Sequence, residues 1–315
     1  MELSSLPIAA LAGSDPLSGN GFDILTALLS RLRGRGLKTA LLLMGRRGDD
    51  ETTAFRLGAA GADVCRLANG GPRGEGEAER ALRRLAASHD LVLAAGRGLP
   101  ELCFQLRLDA QKTGADAERL AAELEEFLFR QWRRPPVVGC VLIGGRSSRM
   151  GRPKQLLPTA DGSTWLARAV DVLSQVCSQV VVAGRGELAG LDLPQLPDAT
   201  GVSGPLAGVL AARRWQPWAS LLVCACDMPE LSLPALDWLL EQRRPGAWAV
   251  IPQVDGRHQP LLALYDFRIL PALEDMARQG QWRMASLLSG PGVVHPEPAA
   301  ELRPAWRNVN RPEQL

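Results

Sequence analysis

Two stretches in the second half of the chain combine residue types that can hold phosphate and metal. The first, Val137–Leu157, reads VVGCVLIGGRSSRMGRPKQLL. An apolar run enters Gly144-Gly145, a polar loop follows with Arg146, Ser147, Ser148 and Arg149, and then come Gly151 and Lys154. Glycine lets backbone approach a ligand closely, and successive N–H groups form an anion nest. Arginine and lysine at the rim add positive charge. A Gly-Gly pair after a strand is by itself a weak signal, with a tight turn as its plain alternative. With Arg146, Arg149, a Met-Gly step and Lys154 inside the same eleven residues, it reads as a triphosphate cradle. It is not a Walker A loop, because G-x-x-x-x-G-K-[ST] is absent there.

The second stretch is SLLVCACDMPEL, in which a very apolar strand stops at Asp227. In open α/β sheets ligands sit beyond the carboxyl ends of strands. A carboxylate there can hold Mg²⁺ bridging nucleotide phosphates; its plain alternative is a helix cap or turn. Asp198, in LPDATGVSGPLAG with Gly204, Pro205 and Leu206, marks a ligand-facing loop or an ordinary turn. Asn308 and Asn310, in WRNVNRPEQL, either shape a turn or donate to a ligand such as phosphate. His258, in DGRHQPLLALY, is either a loop residue oriented toward substrate or a structural histidine.

These residues need strand ends to carry them. Short apolar runs bounded by Gly or Pro read as buried strands: PIAALAG, TALLLMG, DLVLAAG, VVGCVLIGG, QVVVAG, SLLVCACD and WAVIPQV. Amphipathic stretches such as FDILTALLSRLRGRG, EAERALRRLAASH, STWLARAVDVLSQV and LPALDWLLEQRR read as helices between them. Strand–helix alternation predicts an α/β fold with mostly parallel sheets and helices on both faces. GADAERLAAELEEFLFRQWRR is one helix, stopped by Pro135-Pro136. The boundary gives two domains, 1–135 and 136–315. The segments from Gly45 (GRRGDDETT) and from Asn69 (NGGPRGEGEAE) read as exposed loops.

Composition narrows the function classes. The 315 residues are 46% hydrophobic and 22% charged, which excludes a mainly disordered chain. Lys+Arg 36 against Asp+Glu 34 gives +2, without the footprint of a nucleic-acid binder. No run of about 18 apolar residues occurs, so no membrane partner is expected. The N-terminus lacks a basic n-region and reads as a buried strand, not a signal peptide. Six cysteines and three histidines are spread without C-x-x-C or tight clustering. Buried thiols in a reducing cytoplasm are expected, not a zinc cage.

As an ordered set, LIGGRSSRMGRPK, SGPLAG, LVCACDMP, DGRHQPLLALY and NVNRPEQL resemble the molybdenum cofactor guanylyltransferases over Val137–Leu315. The resemblance implies a Rossmann-like nucleotidyltransferase α/β/α domain. It implies GMP transfer from GTP onto the terminal phosphate of molybdopterin, with Mg²⁺ as cofactor and pyrophosphate released. By position, Leu142, Ile143, Gly144 and Gly145 correspond to the GTP-contacting loop, Lys154 to the phosphate lysine and Asp198 to a nucleotide-contacting aspartate; Gly204, in the loop after Asp198, is expected among the substrate-binding residues. Asp227 corresponds to the magnesium aspartate, and Asn308 and Asn310 to the Asn-x-Asn near the pterin. Arg149 joins Lys154 and Asp227 as a catalytic residue, stabilising the departing pyrophosphate. Two departures stand out: Pro153 where an Asp often precedes the lysine, and Ala183 where a polar residue, commonly Asn, often meets the nucleotide. Related cytidylyltransferases usually carry Ala-Gly in place of Gly144-Gly145, so guanine is favoured over cytosine. The alternatives are a cytidylyltransferase for the same cofactor and a non-catalytic carrier of it.

The first half reads as a strand, a Gly/Ser-rich loop and a helix, LPIAALAGSDPLSGNGFDILTALL. A P-loop alignment puts Pro16 and Gly21 at the glycines, Phe22 at the lysine and Asp23 at the Ser/Thr. RLRGRGLKTALLLMG, AFRLGAAGADVCRLA and HDLVLAAGRGLPEL resemble segments of the molybdopterin-guanine dinucleotide biosynthesis adaptor family, over about residues 6–110. Ala95 stands where that family usually has an acidic residue. The resemblance implies a degenerate P-loop NTPase-like parallel sheet that does not hydrolyse GTP. Molybdoenzyme or tungstoenzyme maturation proteins are the further partners it suggests.

Overall fold

The computed structural model describes residues 2–12, 17, 19–44, 51–67, 74–96, 99–102, 104–108, 114–144, 153–159 and 162–309. Contacts divide the chain into two compact units, Met1–Arg134 and the bulk of Pro135–Leu315. No helix among the described residues is long and apolar enough to cross a membrane.

The first unit runs β1 (Ile8–Ala12), α1 (Gly19–Gly34), β2 (Thr39–Met44), α2 (Glu51–Ala60), β3 (Ala62–Leu67), α3 (Gly74–Ala86), β4 (Leu91–Gly96), β5 (Gln105–Arg107) and α4 (Gly114–Arg133). Among the described residues its sheet is all parallel, in the order β3-β2-β4-β1-β5. All six residues of β2 are buried, as a strand covered on both faces requires. Helix α1 meets the core through Phe22, Leu25, Leu28, Leu29 and Leu32, a helical spacing. Of the two segments expected to be loops, residues 45–50 and 69–73 lie outside the described residues, and the remainder is helical, α2 starting at Glu51 and α3 at Gly74. In α3, Arg83 pairs with Glu79 one turn away at 2.6 Å, while Ala78, Leu82 and Ala86 are buried.

The second unit runs β6 (Val137–Leu142), α5 (Trp165–Ser174), β7 (Gln179–Ala183), β8 (Gln195–Leu196), α6 (Pro205–Trp215), β9 (Ser220–Ala225), α7 (Leu233–Glu241), β10 (Ala249–Val250), β11 (Gln253–Val254), β12 (Arg257–His258), β13 (Leu262–Tyr265), α8 (Leu270–Arg278) and β14 (Val293–Val294). The sheet order is β14-β10-β13-β9-β6-β7-β8 among the described residues. Strands β6 to β9 are parallel, but β13 is antiparallel to both β9 and β10. The expected single strand WAVIPQV splits into β10 and β11, because Pro252 has no N–H to continue the ladder. Residues 251–261 then hold the small β11–β12 hairpin instead of a crossover helix, so the chain returns antiparallel. That hairpin turns through Asp255 (φ 49°) and Gly256 (φ 74°), the pair of positive φ values a two-residue type I′ turn needs.

Candidate nucleotide-binding site

Strand register builds the site. Leu142 ends β6 level with Ala183 of β7 on one side and Ala225 of β9 on the other. The chain leaves β6 toward β7 and comes back to β6's other edge as β9, which opens a crevice at the shared carboxyl end. A cavity of about 330 Å³ lies there. Its lining includes Leu142, Ile143, Gly144, Lys154, Asp198, Gly204 and Asp227. Gly145, Arg149 and Asn310 lie outside the described residues.

Backbone hydrogen bonds lock the strand ends together. Ile143 N donates to Ala183 O (2.9 Å) and Cys226 N to Leu142 O (3.1 Å). Gly144 adopts φ +104°, a region that favours glycine, and a Cβ there would meet nothing closer than 3.8 Å. Gly184, at φ +116°, is tighter: a Cβ would lie 2.1 Å from Ile143 O. Gly204 precedes α6 with φ +71°, and Pro205 opens the helix where a missing N–H costs nothing. Both line the cavity, so the positive end of α6 faces it.

The charged residues meet across 73 positions of chain. Lys154 Nζ donates to Asp227 Oδ2 at 2.9 Å, and each side chain is only 17% exposed. Asp227 Oδ1 is buried and accepts no hydrogen bond, and the same holds for Asn308 Oδ1. Val309 N donates to the Asp227 carbonyl (2.9 Å), while Val309 packs with Leu157 and Trp165. The C-terminal Asn308 is therefore clipped next to the end of β9. No three His, Cys, Asp or Glu side chains cluster to hold a metal among the described residues. His258 packs its ring 4.3 Å from that of His295 and is not among the cavity-lining residues.

Gly208, Ala225, Cys226 and Leu261 also line the cavity and were not singled out from the sequence. Gly208 had a signal, one helical turn after Gly204: a Cβ there would lie 2.9 Å from Leu142 Cδ2 and 3.3 Å from Ala183 Cβ. Burial pushes the Cys226 thiol up to about 12, with Asp227 adding to the shift, so it is a neutral wall of the pocket.

In the first unit, Phe22 and Asp23 stand in α1 with Arg56 of α2 beside them. The Arg56 guanidinium lies 4.4 Å from the Phe22 ring centroid and 3.7 Å from Asp23 Oδ1. With Leu17 and Thr53 these residues line a cleft of about 260 Å³. Pro16 lies outside the described residues.

Residues 139–292 match the MobA-like NTP transferase domain family. A protein of Pelotomaculum thermopropionicum named "Probable molybdenum cofactor guanylyltransferase" is 33% identical over 184 residues, 56% of this chain and 89% of that protein. One of the same name from Rhodopirellula baltica is 32% identical over 195 residues, 58% of this chain and 90% of its own. The crystal structure of molybdopterin-guanine dinucleotide biosynthesis protein A from Archaeoglobus fulgidus is 27% identical, covering 56% of this chain and 93% of its own with a TM-score of 0.49. Through its second unit, the chain belongs to the molybdenum cofactor guanylyltransferase family of nucleotidyltransferases.

Proposed function

We propose that the second unit transfers GMP from GTP to the terminal phosphate of molybdopterin, releasing pyrophosphate. The observation that carries this reading is the meeting of Lys154 and Asp227 at 2.9 Å inside the cavity at the strand switch point. Lys154, the start of α6 and Arg149 supply positive charge for a triphosphate and for the departing pyrophosphate. The acceptor is a phosphate monoester, largely dianionic near neutral pH, so no strong general base is required. Glycine at position 144 leaves room for a purine edge, which favours guanine. Asn310 is assigned to the acceptor by the resemblance of its Asn-x-Asn motif.

The residues present fit Mg²⁺. Asp227 Oδ1 and Asn308 Oδ1 are buried oxygen donors without hydrogen bonds, and Mg²⁺ prefers one or two carboxylates plus phosphate oxygens to a protein cage. When bound, the ion supplies charge neutralisation at the reacting phosphates. Asp227 would hold it.

The first unit acts, in this reading, as a degenerate P-loop adaptor over residues 1–135. Phe22 cannot neutralise a phosphate, Asp23 repels it, and Arg56 is engaged with both. Tethering to the transferase gives it a high effective concentration, as a dock for maturation proteins in the cytoplasm.

The test is turnover of the full chain with Mg²⁺, molybdopterin cofactor and each nucleoside triphosphate, reading pyrophosphate and dinucleotide product. GTP is expected to work far better than CTP, and preferential cytidylyl transfer would overturn the base assignment. Without acceptor, the same chain should release no inorganic phosphate from GTP. Release of it would overturn the adaptor reading.

A further inference from the structure

Lys154 and Asp227 neutralise one another inside the cavity. The contact joins the turn after the glycine loop to the end of β9, so it is built by the tertiary fold. It occupies Asp227 Oδ2 and leaves Oδ1, which is buried and without a donor. A divalent cation arriving at Oδ1 alone would meet a carboxylate already compensated by an ammonium group. It would also stand close to that like charge where water screens it poorly, since both side chains are only 17% exposed.

We propose that Lys154 makes divalent-cation binding at Asp227 conditional on nucleotide, so that the cation is held weakly alone and enters with the triphosphate. The proposal rests on the reading of Asp227 as the cation's carboxylate. A highly charged triphosphate is a stronger partner for the ammonium than one carboxylate. Once Lys154 turns to phosphate, it stops compensating Asp227 and stops repelling the cation. Linkage makes the effect reciprocal: the factor by which nucleotide tightens the cation is the factor by which the cation tightens nucleotide. Lys154 is then more than a phosphate contact, because it also suppresses non-productive occupancy by metal alone.

The test uses the full chain and Mn²⁺ alone as probe, with protein-bound Mn²⁺ read by EPR. It is repeated with a GTP analogue that cannot be cleaved between the α- and β-phosphates. The wild type should hold Mn²⁺ about tenfold or more tighter with the analogue, within the usual range of coupling between sites. Lys154→Met should hold Mn²⁺ alone about tenfold tighter than wild type and lose most of the enhancement by the analogue. Circular dichroism checks that the variant is folded, and Lys154→Gln replaces it if it is not. Mn²⁺ binding by either neutral variant that is no tighter than wild type would overturn the proposal. Adding Asp227→Asn to Lys154→Met should abolish the gain. If the gain survives, Asp227 is not the cation's ligand, and the assignment of the metal site falls, not the coupling alone.

Discussion

Replacing Asp227 by Asn separates what this carboxylate does for the fold from what it does for chemistry. For the fold, the structure shows one charge-assisted bond to Lys154 at 2.9 Å between side chains that are mostly buried. Such bonds contribute about 1.5–3 kcal/mol net, and asparagine keeps an oxygen that can accept from the ammonium. The expected loss of stability is therefore about 1–2 kcal/mol, or several degrees of melting temperature. For chemistry, losing the metal's carboxylate should remove about 4 kcal/mol of transition-state stabilisation, which is about three decades in rate. Thermal unfolding measures the first quantity, and pyrophosphate release with GTP, Mg²⁺ and acceptor measures the second. A folded Asp227→Asn protein that turns over within about tenfold of wild type would refute the catalytic role and leave only the structural pair.

Glycine positions give a paired contrast. Gly184→Ala should cost about 3 kcal/mol or more, because its Cβ would collide with Ile143 O at 2.1 Å and pry the strand ends apart. Gly162→Ala, also at positive φ but in open space, should cost only about 1–2 kcal/mol; equal melting losses would contradict the geometry. Two hydrogen bonds from Arg214 hold the Glu274 carboxyl below its ordinary value of 4.5. A depressed carboxylate contributes stability above its unfolded pKa and loses it as pH falls through the folded one. The stability gap between wild type and Glu274→Gln should thus be full near neutrality and close below about pH 4.5; a gap that widens on acidification would contradict it. Burial raises Cys140 and Cys226 to about 12, so iodoacetamide at pH 8 should label them only after unfolding. Labelling of Cys226 in the native protein at the unfolded rate would show that the pocket wall is open.

Local sequence was sufficient to place about half of the described strands and most of the helices. Runs such as TALLLM and SLLVCA have too little polar surface to sit anywhere but a covered sheet, and the structure buries all six residues of each. Proline and glycine marked where elements stop, since their effects act within a residue or two. Charge-rich stretches were harder. GRRGDDETT and NGGPRGEGEAE look like loops when read by polarity alone, yet helices start inside both, with the apolar stripe further along the chain. The antiparallel β13 was also hidden, because strand direction depends on how the intervening chain travels and not on the strand's own residues. The site divides in the same way. Residue types at Gly144, Lys154, Asp198 and Asp227 suggested phosphate and metal chemistry from the chain alone. That Leu142, Ala183 and Ala225 end level, that Lys154 reaches Asp227, and that Val309 clips Asn308 to β9 are matters of register and long-range packing. Such contacts join positions far apart in sequence, and only closure of the whole sheet brings their partners within hydrogen-bonding distance.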